Sequence, residues 1–269
     1  GVQARPRPRA KITGLETGSL THYVLEQAVL RYPGRALCEV EPDELRSALS
    51  GMVDDFVEKM LAGGGADTRS RYLLTRVKRA VFLLVRHLAD ELRQSAFVPV
   101  DAELPIGEGG VAPIVVKTPL GAAVQVRGVV DRVDLMEQDG VRYVRVVDYK
   151  TGAKSFRLSD VYQGINMQML LYLFSIWRNG RERYGDVVPA GVLYMPASAA
   201  VQKGVREGQV GGAFDKALKM NGLLLQDSVA LRGMEREMAG VFIPCKQRKD
   251  GGFDARSSLA SLEQFGRLN

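Results

Sequence analysis

Apolar residues return at three- and four-residue intervals through the first third of the chain, and strand-forming runs follow, so the sequence reads as helical first and β second. Helices are predicted near 16–31, 42–62 and 69–95, with Gly63-Gly64-Gly65 breaking the last two apart. Strands are predicted near 97–105, 113–119, 122–136 and 141–150. Glu137-Gln138-Asp139-Gly140 joins the last two, and its Asp-Gly pair is a strong hairpin signal. Ser159 stands where an N-cap would, before a helix from about Asp160 to Trp177 whose stripe includes Val161, Ile165, Met169, Tyr172 and Ile176. The apolar run Val187 to Met195 predicts a buried, parallel strand, 201–212 a loop and 227–238 a last short helix. This order implies an α/β fold, a central mixed sheet flanked by helices, with an N-terminal helical portion. A single domain is expected over 1–269, with 1–95 mainly helical, 96–200 the core and 201–269 a loop and C-terminal part.

The chemistry concentrates in the two strands of the hairpin. Asp131 stands seventeen positions before Asp148, and Asp148-x-Lys150 puts a carboxylate and an ammonium on one strand face. Antiparallel pairing about Asp139-Gly140 would bring Asp131 alongside them, in a register that sequence does not fix. Two aspartates and a lysine are what phosphodiester hydrolysis needs: oxygen ligands for Mg²⁺ and positive charge near the phosphoryl oxygens. Taken alone, Asp-x-Lys also describes a surface salt bridge.

Other residues join this set as candidates. Gln168 lies within the stripe of its helix, either at its edge or facing something polar. His22, Leu25, Glu26 and Val29 share one side of the first helix, where His22 is either a ligand or an ordinary packed residue. Glu103, in the run from Phe97 to Ile106, fits an added metal carboxylate and an exposed strand position equally well.

Composition narrows the classes. At 46% hydrophobic and 25% charged, the chain can bury a sizeable core. It contains no apolar run of membrane-spanning length and no signal-peptide pattern, and its two cysteines agree with a reducing, cytoplasmic setting. The formal charge of +6 suits a polyanionic partner. Basic residues cluster in the first eleven positions, which read as an arm or linker, and again at Lys246, Arg248, Lys249 and Arg256; either group could meet phosphates. No Walker A motif is present, so ATP hydrolysis by this chain is not expected.

In order, G-x-x-x-H-x-x-L-E from Gly18, G-x-x-D-R-x-D from Gly128, D-Y-K-T-G from Asp148 and Q-x-x-x-Y from Gln168 resemble the motif set of RecB-type nucleases of the PD-(D/E)XK superfamily. The segments 148–173, 214–227 and 242–265 resemble more narrowly the AddB family, which belongs to the bacterial AddAB helicase-nucleases. That resemblance implies Asp131, Asp148 and Lys150 as catalytic residues and His22, Asp131 and Asp148 as metal ligands. It places Gln168, Tyr172, Thr151 and Arg132 in DNA binding or support of the site. It further implies Mg²⁺, with Mn²⁺ as a substitute, DNA as substrate, an AddA-type helicase-nuclease subunit as partner, and a role in double-strand-break repair. Members of the family often carry an iron-sulfur cluster on four cysteines; here Cys38 and Cys245 are too few, so any cluster belongs to a longer protein. A stand-alone RecB-like exonuclease and a catalytically silent DNA-binding module are the competing classes.

Overall fold

The computed structural model describes residues 14–61, 68–117, 123–151, 167–197, 213–254 and 258–267. Three helices come first: α1 (Gly14–Arg31), α2 (Pro42–Leu61) and α3 (Thr68–Gln94). The strands β1 (Val98–Ile106), β2 (Val115–Lys117), β3 (Ala123–Gln125), β4 (Gly128–Gln138) and β5 (Val141–Tyr149) follow. Then come α4 (Gln168–Asn179), α5 (Arg181–Tyr184), β6 (Val188–Met195), α6 (Ala213–Leu218), β7 (Asn221–Leu225), α7 (Ser228–Met234), β8 (Leu259–Ala260) and α8 (Leu262–Arg267).

Six of the strands form one sheet in the order β1-β4-β5-β6-β7-β8, while β2 and β3 make a separate pair. The pairings β5–β6 and β7–β8 are parallel and the rest antiparallel, which makes the sheet mixed, as expected. Asp139 and Gly140 both take positive φ, 53° and 75°, and Gln138 pairs with Val141 across them. That is the two-residue turn an Asp-Gly pair favours, and it sets the register of β4 against β5. The chain passes through α4 between β5 and β6, and α4 packs on both strands. The helices α1, α2 and α3 pack together, and α1 reaches β1 and β4.

Alternation along β4 divides its side chains between two environments. Arg132 and Asp134 point into a buried ionic cluster with Arg145 of β5 and Glu91 of α3. Arg145 Nε lies 2.8 Å from Asp134 and its Nη2 2.6 Å from Glu91, while Arg132 contacts both acids. Two guanidiniums and two carboxylates cancel, and this neutrality is what allows the four charges to sit inside the fold. Asp131, one residue away, faces the opposite side.

Several boundaries differ from the sequence reading. The strand expected over 122–136 is interrupted, its first part pairing with β2 and its second, from Gly128, joining the main sheet. The α4 helix is seen from Gln168; Ser159 and the expected helical start at Asp160 fall outside the described residues, as do Gly63-Gly64-Gly65 and the loop at 201–212. The strand β7 was not anticipated, although its Leu223-Leu224-Leu225 run is buried throughout.

Candidate active site

One row of residues crosses the sheet near the start of β4. The pairs Ala102↔Arg132 and Leu104↔Val130 set Glu103 opposite Asp131. The pair Arg132↔Val147 sets Asp131 opposite Asp148 by one further step. Asp148 pairs with Tyr194 on β6, and Tyr194 with Asn221 on β7. Cross-strand neighbours share a face, so the register itself gathers Glu103, Asp131 and Asp148. Glu103 adopts φ 50°, a left-handed conformation that costs an L residue about 1–2 kcal/mol. Such strain is commonly kept where a side chain must be aimed.

The helix α1 supplies the nitrogen. His22 Nδ1 lies 3.6 Å from Asp131 Oδ2, and its ring meets the Tyr149 ring edge-on at 6.0 Å. Single ligand atoms of His22, Glu103 and Asp131 all fall within 4.8 Å of one another. The backbone N–H of Tyr149 donates to Asp131 Oδ2 at 2.6 Å, fixing that carboxylate. Across from it, Lys150 Nζ stands 2.7 Å from Asp148 Oδ2. This oxygen is buried, and the ammonium beside it is the charge that compensates it. The Lys150 backbone N–H donates to Met195 O at 2.8 Å, holding the residue beyond the end of β5 against β6.

Electrostatics follow from this crowding. Burial, then the charge of Asp148, pushes the Asp131 carboxyl up to about 7, against the Tyr149 N–H and Lys150, which pull it down. Burial also raises Glu103, helped by the charges of Asp131 and of Glu26 on α1. The Tyr194 phenol is raised by burial and by Asp148. Four carboxylates therefore share one small region with one lysine, an arrangement that favours binding a cation.

The supporting residues divide. Gln168 is exposed; its amide donates to the Tyr172 hydroxyl, which donates to the carbonyl of Arg127 at 3.1 Å. A methyl group at Gly128 would overlap that hydroxyl, so the glycine that opens G-x-x-D-R-x-D is there to let Tyr172 close over the start of β4. Gly18 plays a similar part: a Cβ there would come within 3.0 Å of the half-buried Thr151 Oγ1, the contact that brings α1 and hence His22 to the end of β5. Arg132, expected among residues that bind DNA or support the site, is fully buried in the ionic cluster. Glu26 and Tyr194 were missed as site residues. Glu26 stood within the G-x-x-x-H-x-x-L-E motif, whereas nothing in the sequence pointed to Tyr194.

The donors His22, Glu103 and Asp131 fit a divalent cation that prefers oxygen and accepts one imidazole, while Asp148, beside them in the row, lies outside that close set and is paired with Lys150. The cysteines do not fit a cluster. Cys38 is half-buried, Cys245 is buried in the C-terminal part, and neither forms a disulfide.

A family model described as the PD-(D/E)XK nuclease superfamily matches residues 2–258. The chain is also similar to curated proteins that are B subunits of ATP-dependent helicase/deoxyribonucleases. Identity is 34% over 278 residues with that of Acetivibrio thermocellus and 35% over 280 with that of Clostridium acetobutylicum. For Clostridium novyi it is 33% over 279 residues. In each case the match covers 100% of this chain and 24% of the relative, so the chain spans about a quarter of their length.

Proposed function

Because the chain belongs to the PD-(D/E)XK nuclease superfamily, we propose that it is a Mg²⁺-dependent deoxyribonuclease that hydrolyses phosphodiester bonds of a DNA strand as an exonuclease. In this reading it is a single nuclease domain of a larger, cytoplasmic protein of the AddB type. It works with an AddA-type helicase-nuclease partner to process DNA ends for recombinational repair. The similarity to helicase/deoxyribonuclease B subunits over the whole chain supports that setting. Among the described residues, no helix is long and apolar enough to cross a membrane. The observation that carries the reading is the convergence of His22, Glu103, Asp131, Asp148 and Lys150 at one end of adjacent strands.

His22, Asp131 and Asp148 would hold the metal, with Glu103 as a further carboxylate. A bound divalent cation supplies Lewis acidity toward a phosphoryl oxygen and makes a water more acidic. The chain's own residues do the rest. Asp131 and Asp148 orient the reacting groups from opposing strands, and the Tyr149 N–H keeps Asp131 from turning away. Lys150, 46% exposed and next to Asp148, is placed to orient an attacking water and to balance charge gathering on the phosphate. Gln168 and Tyr172 support the site through the Arg127 carbonyl, and the exposed Gln168 is free to meet a DNA backbone.

The test is digestion of end-labelled single-stranded DNA by the full-length protein in Mg²⁺, with EDTA as control. Metal-dependent shortening of the labelled strand is expected. Binding of DNA without cleavage, in either Mg²⁺ or Mn²⁺, would replace this reading with that of a silent DNA-binding module.

A further inference from the structure

We propose that Tyr194 is a positioning residue for Lys150, its ring the platform that holds the lysine ammonium beside Asp148. The inference rests on the nuclease reading for its catalytic consequence, but the contact itself stands on geometry. Lys150 Nζ lies 5.3 Å from the centroid of the Tyr194 ring while remaining 2.7 Å from Asp148 Oδ2. A cation at that distance from an aromatic face is attracted by the ring's quadrupole.

The arrangement follows from register. Asp148↔Tyr194 is a parallel pair, so the ring occupies the position beside Asp148 on the neighbouring strand, and Lys150 emerges just past the strand's end. Its backbone is pinned by the N–H to Met195 O bond at 2.8 Å, on the residue after Tyr194. The side chain is otherwise half in solvent, with a flexible four-carbon stem whose freedom has to be restrained if the ammonium is to stand at one place. The ring is a fixed surface for that purpose: Tyr194 is 6% exposed and paired on both sides, with Asp148 and with Asn221. Asp148 alone would attract the ammonium from any approach, and the ring selects one. Two consequences follow. The function belongs to the aromatic face, so Phe should replace Tyr194 and an aliphatic residue of similar bulk should not. The effect should also fall on turnover more than on substrate binding, because Lys150 acts at the reacting phosphate.

The experiment compares Tyr194→Phe and Tyr194→Leu in the full-length protein by two readouts. The first is the NMR signal of the Lys150 side chain, in protein with isotope-labelled lysine and assigned with Lys150→Arg, where a neighbouring ring face displaces the resonances. The second is cleavage of single-stranded DNA, resolved into kcat and KM. The expected result is a ring-displaced Lys150 signal in the unmodified protein and in Tyr194→Phe, but not in Tyr194→Leu. With it, kcat should fall about tenfold in Tyr194→Leu alone at near-constant KM. Unchanged Mn²⁺ affinity in both variants would show that the carboxylates keep their places. An undisplaced Lys150 signal in the unmodified protein would overturn the proposal. So would a Tyr194→Leu enzyme as fast as its parent, or a Phe variant as slow as Leu. A displaced signal in a protein that cuts no DNA would support the contact and overturn the nuclease reading instead.

Discussion

Asp131 is largely but not fully buried, faces two other carboxylates and takes one backbone N–H, so without metal its carboxyl holds a proton to about pH 7. The sign of the consequence follows from proton counts. Between its ordinary range near 3.8 and about 7, the folded state keeps a proton that the unfolded state has lost. Asp131 therefore contributes stability to the metal-free protein at low pH, and this contribution is lost as pH rises through about 7. A cation has to displace the same proton. Mn²⁺ affinity should accordingly rise about tenfold per pH unit below 7 and level off above it; calorimetric titration at several pH values checks this, and a pH-independent affinity would remove Asp131 from the ligand set. Gly128 offers a second residue-scale test. Gly128→Ala should destabilise the fold by about 1–3 kcal/mol through overlap with the Tyr172 hydroxyl and should slow cleavage by shifting the start of β4. Thermal unfolding and rate measurements would show it, and an indifferent Gly128→Ala would mean that Tyr172 does not hold that strand.

At the scale of elements, the site is a product of strand register. The hairpin turn, the alternation along β4 and β5, and the Asp131 and Asp148-x-Lys150 spacing were all legible, because each is local in sequence. The buried partners of Arg132 and Arg145 were not. An Arg-x-Asp on a strand looks the same whether it meets solvent or meets Glu91 from a helix about forty residues earlier. The aim of Glu103 was equally hidden, since its positive φ breaks the alternation from which an exposed position would be read. Tyr194 looked like core because it is core, and its second role depends on what the neighbouring strand places above it. The ionic cluster makes its own prediction. Glu91→Gln leaves two guanidiniums facing one carboxylate and should cost about 3–5 kcal/mol in chemical denaturation. A loss under about 1 kcal/mol would mean that water reaches the cluster.

Over the whole molecule, 37 basic residues outnumber 31 acidic ones even though the candidate site itself is acidic, so attraction to a polyanion has to come from surfaces outside the cluster. Lys249 is exposed on the turn closed by the Gln247↔Phe253 bridge and Lys246 is exposed just before it, which makes them the simplest to test. Neutralising both should lower the salt dependence of single-stranded DNA affinity by a log–log slope of about 1.4, at roughly 0.7 for each phosphate left without its lysine. An unchanged slope would place the DNA path elsewhere. The helices α1 to α3 and the sheet then have a common purpose: α1 brings His22 to a sheet end where β1, β4 and β5 present carboxylates in one row. The most direct test of that claim is the single-turnover rate of DNA cleavage in saturating Mg²⁺ for the full-length protein and its Asp148→Ala variant, with folding checked by thermal unfolding. A loss of at least about a thousandfold is expected in a variant that still folds. A folded Asp148→Ala protein that cuts within about tenfold of its parent would contradict it.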